Sequence, residues 1–158
     1  MMIVKPDVAE PSIRPAIAAD VAAVTRIVAD AYRHYIPRMR QTPSPMLDDY
    51  AERIAAGVVW VIEARDAVRG IVVLVPKPDH LLLENIAVDP ICRGTGFGRL
   101  LLVFAEAEAI RRRCPEIRLY THATMTENQR LYARIGYQET GRRSEAGYDR
   151  VFMSKCLT

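Results

Sequence analysis

Residues 88–101 read VDPICRGTGFGRLL, with glycines at 94, 96 and 98 directly after an apolar run and directly before an amphipathic one. A turn that bare at the entrance to a helix lets several main-chain N–H groups converge on one anion, and the helix dipole adds partial positive charge at the same place. The pattern predicts a strand, an anion-binding turn and a helix, with a phosphate-bearing ligand at the join. A second reading, that the glycines only make a tight turn, stays open at this level. Two familiar phosphate loops fail on spacing: GxGxxG would need glycine at Arg99 or Leu101, and the GK[ST] ending of the P-loop is absent. A nicotinamide enzyme or a nucleoside triphosphatase is disfavoured on that ground.

Working outward, VVWVIEA (58–64), GIVVLVP (70–76) and HLLLENIAV (80–88) are apolar runs separated by the turn-like RDAVR and KPDH, and they predict strands joined as hairpins. Before them, residues 12–16 read as a short strand, and Val21, Val24, Ile27, Val28 and Ala31 recur at helical spacing. Prolines at 37, 43 and 45 then break the chain, and Ser44-Pro45 reads as the N-cap and first residue of a second helix ending near Gly57. That loop and helix are expected to form a lid. After the glycines, RLLLVFAEAEAIRRR predicts a helix with Leu100, Leu101, Phe104 and Ala107 on one face and Arg111, Arg112 and Arg113 solvated at its negative end. EIRLYTHA is a further strand. Thr124 and Glu127 have capping-box spacing for a last helix that Gly136 closes, and YQETGR and DRVFMSKCL are the final strands. The order β-α-α-β-β-β-α-β-α-β-β makes a mixed α/β sheet.

Composition narrows the class. A chain of 158 residues with 50% hydrophobic and 26% charged residues is sized for one soluble domain, spanning 1–158 with its core from about residue 12. A net charge of +3 favours anionic ligands but falls short of a nucleic-acid footprint. The N-terminal MMIVKPDVAEPSIRPA carries prolines and acids where a signal peptide has an apolar core, and no run approaches a membrane span, so a cytoplasmic location is expected. Cys92, Cys114 and Cys156 are odd in number and lack CxxC spacing, which suggests neither a disulfide framework nor a zinc site.

Arg93-Gly94-Thr95-Gly96-Phe97-Gly98 has the pattern R-x-x-G-x-G. Together with ENIAVDPICRGTGFGRLLL (84–102) and the later ENQRLYARIGYQE (127–139), it makes the chain resemble the GCN5-related N-acetyltransferase (GNAT) family from about residue 12 to the end. The resemblance implies an acyltransferase fold of about four helices around a sheet splayed between strands 4 and 5, an acetyl-coenzyme A cosubstrate and no metal. It implies that the main chain around Ile86, Ala87 and Val88 pairs with the pantetheine arm. The pyrophosphate would then lie on the amides of Arg93, Gly94, Gly96 and Gly98, in a loop that Thr95, Phe97 and Arg99 complete.

Chemistry adds two candidates. An acceptor amine with a pKa of roughly 10 is mostly ammonium at neutral pH and must lose a proton before it can attack a thioester. Glu84, which interrupts an apolar strand just before the expected thioester site, is the candidate base; a solvated or arginine-paired glutamate is the alternative. By resemblance to the family's LY…GY signature, Tyr132 lies near the sulfur of coenzyme A and donates a proton to the departing thiolate. Many family members have an asparagine seven residues before this tyrosine, where this chain has Met125; Asn128, four before, is the available substitute on the same helical face.

For the acceptor, the first two helices of such proteins usually wall the pocket, which nominates Tyr32, Tyr35 and Arg38, with His34 and Arg40 beside them. Tyr120 and His122 on the fifth strand are further candidates. Three readings follow: a small-molecule amine N-acetyltransferase, a protein N-terminal or lysine acetyltransferase, and a non-catalytic acetyl-coenzyme A sensor. No nucleic-acid or membrane partner is expected. A homodimer through the terminal strand, RVFMSKCLT, is a further expectation.

Overall fold

The computed structural model describes residues 10–157, so residues 1–9 of the stretch read for targeting signals, and Thr158, lie outside the described residues. Seven strands form one sheet: β1 (Ser12–Pro15), β2 (Val59–Ala64), β3 (Ala67–Pro76), β4 (Leu81–Val88), β5 (Glu116–His122), β6 (Gln138–Glu145) and β7 (Tyr148–Cys156), in the order β1-β2-β3-β4-β5-β7-β6. All pairs are antiparallel except β4 and β5. That parallel pair requires a crossover, supplied by α4 (Phe97–Arg111). The remaining helices are α1 (Val21–Tyr32), a single turn α2 (Ile36–Met39), α3 (Tyr50–Ala55) and α5 (Thr126–Arg134).

The β-branched runs that predict strands bury both faces of the sheet's centre. On one side Val24, Ile27 and Val28 of α1 and Tyr50 and Ile54 of α3 pack on Val59, Val61, Ile71, Val73 and Ala87. On the other, Leu101, Leu102, Ala105 and Ala109 of α4 cover Trp60, Ile62, Val72, Leu74 and Leu81. The alternation of strands and main helices along the chain, the α1 face and the mixed sheet all agree with the sequence reading.

Four local expectations are corrected. The second helix starts at Tyr50 and is capped by Asp49, whose Oδ1 accepts the Glu52 amide at 3.2 Å; Ser44 instead opens a 3-10 turn, Ser44–Leu47. The buried face of α4 is rotated: Leu100 is 41% exposed, while Leu102 and Ala105 are buried in place of Ala107. Thr124 and Glu127 do not form a capping box, because the Thr124 hydroxyl meets His122 Nδ1 at 2.8 Å and the Glu127 carboxylate meets Arg38 Nη1 at 2.7 Å. Finally β7 is no free edge for a dimer, since β5 and β6 occupy both its sides and β6 is the edge strand. Among the described residues, no helix is long and apolar enough to cross a membrane.

Candidate active site

The site opens where β4 and β5 stop pairing. Their last paired residues are Leu83 and Leu119, after which β4 runs on to Val88 and β5 to His122 without bonding each other. At the same point β4 carries a bulge: Asn85 opposes Val73 and Leu83 opposes Leu74, so Glu84 has no partner of its own on β3. The extra residue flips the alternation of the strand. Leu81 and Leu83 face the α4 side, whereas Glu84 and Asn85 both reach elements of the α1/α3 side, and Ile86 packs against the α4-side cluster again. Two consecutive polar residues within an otherwise apolar strand are the trace that this bulge leaves in the sequence.

Beyond the bulge, β4 has an open edge. The Asp89 amide donates to the Arg69 carbonyl at 2.8 Å. That bond sets the ladder so that Asn85 and Ala87 turn their main-chain groups toward β3, while those of Ile86 and Val88 point into the gap. The Tyr32 hydroxyl lies 2.7 Å from Asn85 Oδ1 and 3.2 Å from the Ile86 carbonyl. Asn85 Nδ2 donates to the Tyr50 hydroxyl at 3.0 Å, and that hydroxyl donates to the Pro45 carbonyl at 2.6 Å. A buried polar chain thus ties α1, β4 and α3 to the segment expected to be a lid.

The glycine turn follows. Gly94 and Gly96 take left-handed conformations, φ +79° and +84°, and a Cβ at either would meet nothing within 4 Å, so these positions are bare toward open space. Gly96 is the N-cap of α4. The Arg93 amide donates to Pro90 O at 3.2 Å, and both the amide and the hydroxyl of Thr95 go to Cys92 O, which removes Arg93 from the expected set of free amides. Among the described residues, the amides of Gly94, Gly96, Phe97, Gly98 and Arg99 have no main-chain acceptor, as the first turn of a helix requires. The turn is anchored from below by Asp89, 3% exposed, which accepts two bonds at 3.2 Å from Arg26 on α1 and one from the Ile91 amide.

Two cavities lie side by side along this strand. One, of about 530 Å³, runs between β4 and α5 and is lined by Ile86, Ala87, Val88, Gly98 and Arg99, with Arg134 and Lys155 farther along. The other, of about 50 Å³, lies on the α1/α3 side and is lined by Glu84, Asn85, Pro43–Pro45, Tyr120, His122, Tyr148 and Arg150. Tyr32, Asn128 and Tyr132 line both. The Tyr132 hydroxyl makes no hydrogen bond among the described residues, and its ring is held edge-on by Tyr137 at 5.7 Å. Burial pushes the Tyr132 phenol well up, so it is a proton donor at any ordinary pH. Burial also raises the Glu84 carboxyl, against the opposing pull of Arg53 Nη2 at 2.6 Å from Oε1.

Other candidates fall elsewhere. Tyr35 and Arg38 line neither cavity: Tyr35 is buried beneath the Arg38 guanidinium at 5.2 Å, and Arg38 clamps Glu127 and the Thr124 carbonyl at the start of α5. Burial, together with Glu127, pushes the Tyr35 phenol up to about 12. His34 stacks on Tyr35 with ring centroids 3.9 Å apart, and His34 and Arg40 also lie outside both cavities. Asn128 Nδ2 approaches the sulfur of the buried Met125 at 3.7 Å. Asn85, Tyr148 and Arg150 were missed by sequence reasoning. Asn85 had a signal in its polar pair with Glu84; Tyr148 and Arg150 had none, since only the β5–β7 register brings them to the site.

The bare turn, its free amides, the open edge of β4 and the long cleft fit a ligand with a phosphate end and an extended amide-bearing arm. The family described as an acetyltransferase (GNAT) domain matches residues 55–139, and the chain belongs to it. Its members use acetyl-coenzyme A to acetylate amines. Among solved structures, the PaiA N-acetyltransferase of Thermoplasma acidophilum in complex with coenzyme A is 14% identical, with 93% of this chain and 99% of that one covered at a TM-score of 0.79. The ribosomal-protein-S18-alanine N-acetyltransferase of Escherichia coli is 19% identical over 94% of each chain, TM-score 0.73. An IAA acetyltransferase of Bacillus cereus is 19% identical over 94% of this chain and 100% of its own, TM-score 0.69. No curated protein sequence matches the chain.

Proposed function

We propose that this protein is an N-acetyltransferase that moves the acetyl group of acetyl-coenzyme A onto the primary amine of a small molecule by direct attack. The observation that carries the reading is that a long cleft and a small cavity share Tyr32, Asn128 and Tyr132 in their walls. A thioester carbonyl beside these residues would be open to an amine from the other side. Acetyl-coenzyme A would supply the electrophilic carbonyl and a thiolate leaving group.

The chain's own residues do the rest. The amides of Gly94, Gly96, Phe97, Gly98 and Arg99 and the positive end of α4 receive the pyrophosphate, with charge from Arg93. The main chain of Ile86 and Val88 pairs with the pantetheine as an added strand would, and Ala87 supports it from the β3 side. Glu84 accepts the ammonium proton, directly or through water, and its raised pKa brings it closer to that of a useful base. Tyr132 gives its phenolic proton to the sulfur as the C–S bond breaks. Asn128, on the same face of α5, positions the arm beside Tyr132.

The small size of the second cavity, about 50 Å³ against about 530 Å³ for the cleft, favours a small acceptor over a polypeptide segment. The reading carries a cytoplasmic location with it, where acetyl-coenzyme A is available. A thiol-release assay with acetyl-coenzyme A and a panel of amines and peptides tests it. Release with a small amine is the expected result. Release only with peptides would favour the protein acetyltransferase, and acetyl-coenzyme A binding without release on any acceptor would favour the sensor.

A further inference from the structure

The walls of the small cavity differ in charge. Glu84 stands on the β4 wall with Arg53 Nη2 at 2.6 Å from its Oε1; burial raises its carboxyl, Arg53 pulls it down and the Asp48 carboxylate pushes it up. On the opposite wall His122 of β5 and Arg150 of β7 face each other in register. The Ala123 amide donates to Asp149 O at 2.8 Å, which makes the neighbouring 122/150 pair the closer, non-hydrogen-bonded kind. Their side chains therefore act on one spot.

Arg150 has donors to offer. Its side chain is only 12% exposed, yet of the five N–H groups of a guanidinium, one is bonded among the described residues, to Glu145 Oε1 at 2.9 Å. That glutamate is 46% exposed on the β6–β7 hairpin and takes one edge of the group, leaving the other N–H groups without a protein acceptor among the described residues. The guanidinium carbon lies 4.3 Å from the centroid of the Tyr120 ring, which holds the group by its face and leaves its edges for a planar anion. Nδ1 of His122 meets the Thr124 hydroxyl at 2.8 Å and accepts the Thr124 amide at 3.2 Å, an arrangement that fits a ring proton on Nε2. Burial keeps this ring neutral at physiological pH, and it serves as a donor and not as a base.

Resting on the acetyltransfer reading, we propose that the acceptor is a small amine that also carries a carboxylate, its amine toward Glu84 and its carboxylate received by Arg150 and the Nε2–H of His122. The cavity, of about 50 Å³, has room for about four water molecules, which corresponds to a molecule of amino-acid size. In the transfer the ammonium gives one proton to Glu84 and the free amine adds to the thioester carbonyl; as the C–S bond breaks Tyr132 protonates the departing sulfur, and the second nitrogen proton, released as the amide forms, returns through water to the Tyr132 oxygen. The carboxylate stays unchanged throughout.

The test uses the full chain and three matched sets: free amino acids, their carboxamides, and the amines left when the carboxylate is removed. The expected result is a kcat/KM for at least one free amino acid roughly 10- to 100-fold above its carboxamide, the effect of a charge-assisted hydrogen bond, carried mainly by KM. Arg150→Gln should bring that substrate down to the level of its carboxamide, Arg150→Lys should restore part of the gap, and both should keep the thermal shift produced by acetyl-coenzyme A. Equal turnover of amino acids and carboxamides by the wild type overturns the proposal without need of any variant. So does a carboxylate preference that survives Arg150→Gln, or turnover confined to amines without a carboxylate. Failure of the parent reading looks different: acetyl-coenzyme A then gives no thermal shift, or gives one with no acceptor turned over.

Discussion

The cofactor turn and the acceptor cavity are built in opposite ways. The turn comes from one unbroken stretch, β4 through α4, in which the groups proposed to meet the cofactor are main chain apart from the charge of Arg93, and at Gly94 and Gly96 a side chain need only be absent. The cavity draws on α1, the Pro43–Pro45 segment, β4, β5, α5 and β7, and each contribution is a particular side chain. A site made of backbone depends on local conformation, so one substitution can destroy it; a site made of scattered side chains depends on register, so single substitutions should adjust rate and preference instead.

The largest expected effect tests the first half of that contrast. Gly96→Asp puts a side chain on a residue at φ +84° and a negative charge at the N-terminus of α4, where an anion should bind. The variant should fold yet lose the rise in thermal midpoint that acetyl-coenzyme A produces by binding the native state. A folded Gly96→Asp protein with an undiminished shift would show that the turn is only a turn.

Next comes Tyr132, which belongs to both cavities. Tyr132→Phe keeps the ring against Tyr137 and removes the donor, so cofactor binding should persist while kcat falls on the order of 10²-fold. Pre-steady-state measurement must show that chemistry limits the rate, because slow product release can hide the loss. A wild-type rate under that condition would remove Tyr132 from the proton path.

For Glu84 the sign of the pH effect is specific. A general base works only when deprotonated, so activity should fall as pH drops through its raised pKa; Glu84→Gln should lower turnover and abolish that limb of the profile. Acetyl-coenzyme A affinity should hardly move. If the profile keeps its shape and height, the carboxylate serves only its ion pair with Arg53.

The smallest effect concerns Arg93, exposed at the start of the turn and with its amide engaged by Pro90 O. Its contribution is charge alone. Arg93→Ala should weaken cofactor binding a few-fold at low salt and less at high salt, as titrations at two ionic strengths would report. A loss independent of salt would mean that the side chain packs.

Most of the fold was legible because its elements announce themselves locally. Alternating and β-branched runs mark β2 to β4, helical spacing marks α1, and the glycines mark the start of α4. The misreadings were local too, and each has a competing partner. Asp49 takes the cap that Ser44 was expected to provide, Arg38 takes Glu127 away from a capping box, and the sheet surface turns α4 by a residue from its expected face. Tyr35 and Arg38, nominated for the acceptor, lie outside both cavities, where Arg38 covers the Tyr35 ring and ties α2 to the start of α5 through Glu127.

By itself the sequence determined the glycine turn before α4, because a bare backbone at a helix entrance is a property of consecutive residues and needs no distant partner. It also determined Tyr132 and Glu84 as candidates, one by a family signature and the other as a carboxylate in an apolar strand. Only the tertiary structure decided which residues line the small cavity beside β4. The bulge at Glu84 turns Asn85 to the same side, and the β5–β7 register sets Arg150 opposite His122 across 28 residues of chain. Such juxtapositions arise from long-range pairing, in which the identity of a residue says nothing about its neighbour until the strands have met.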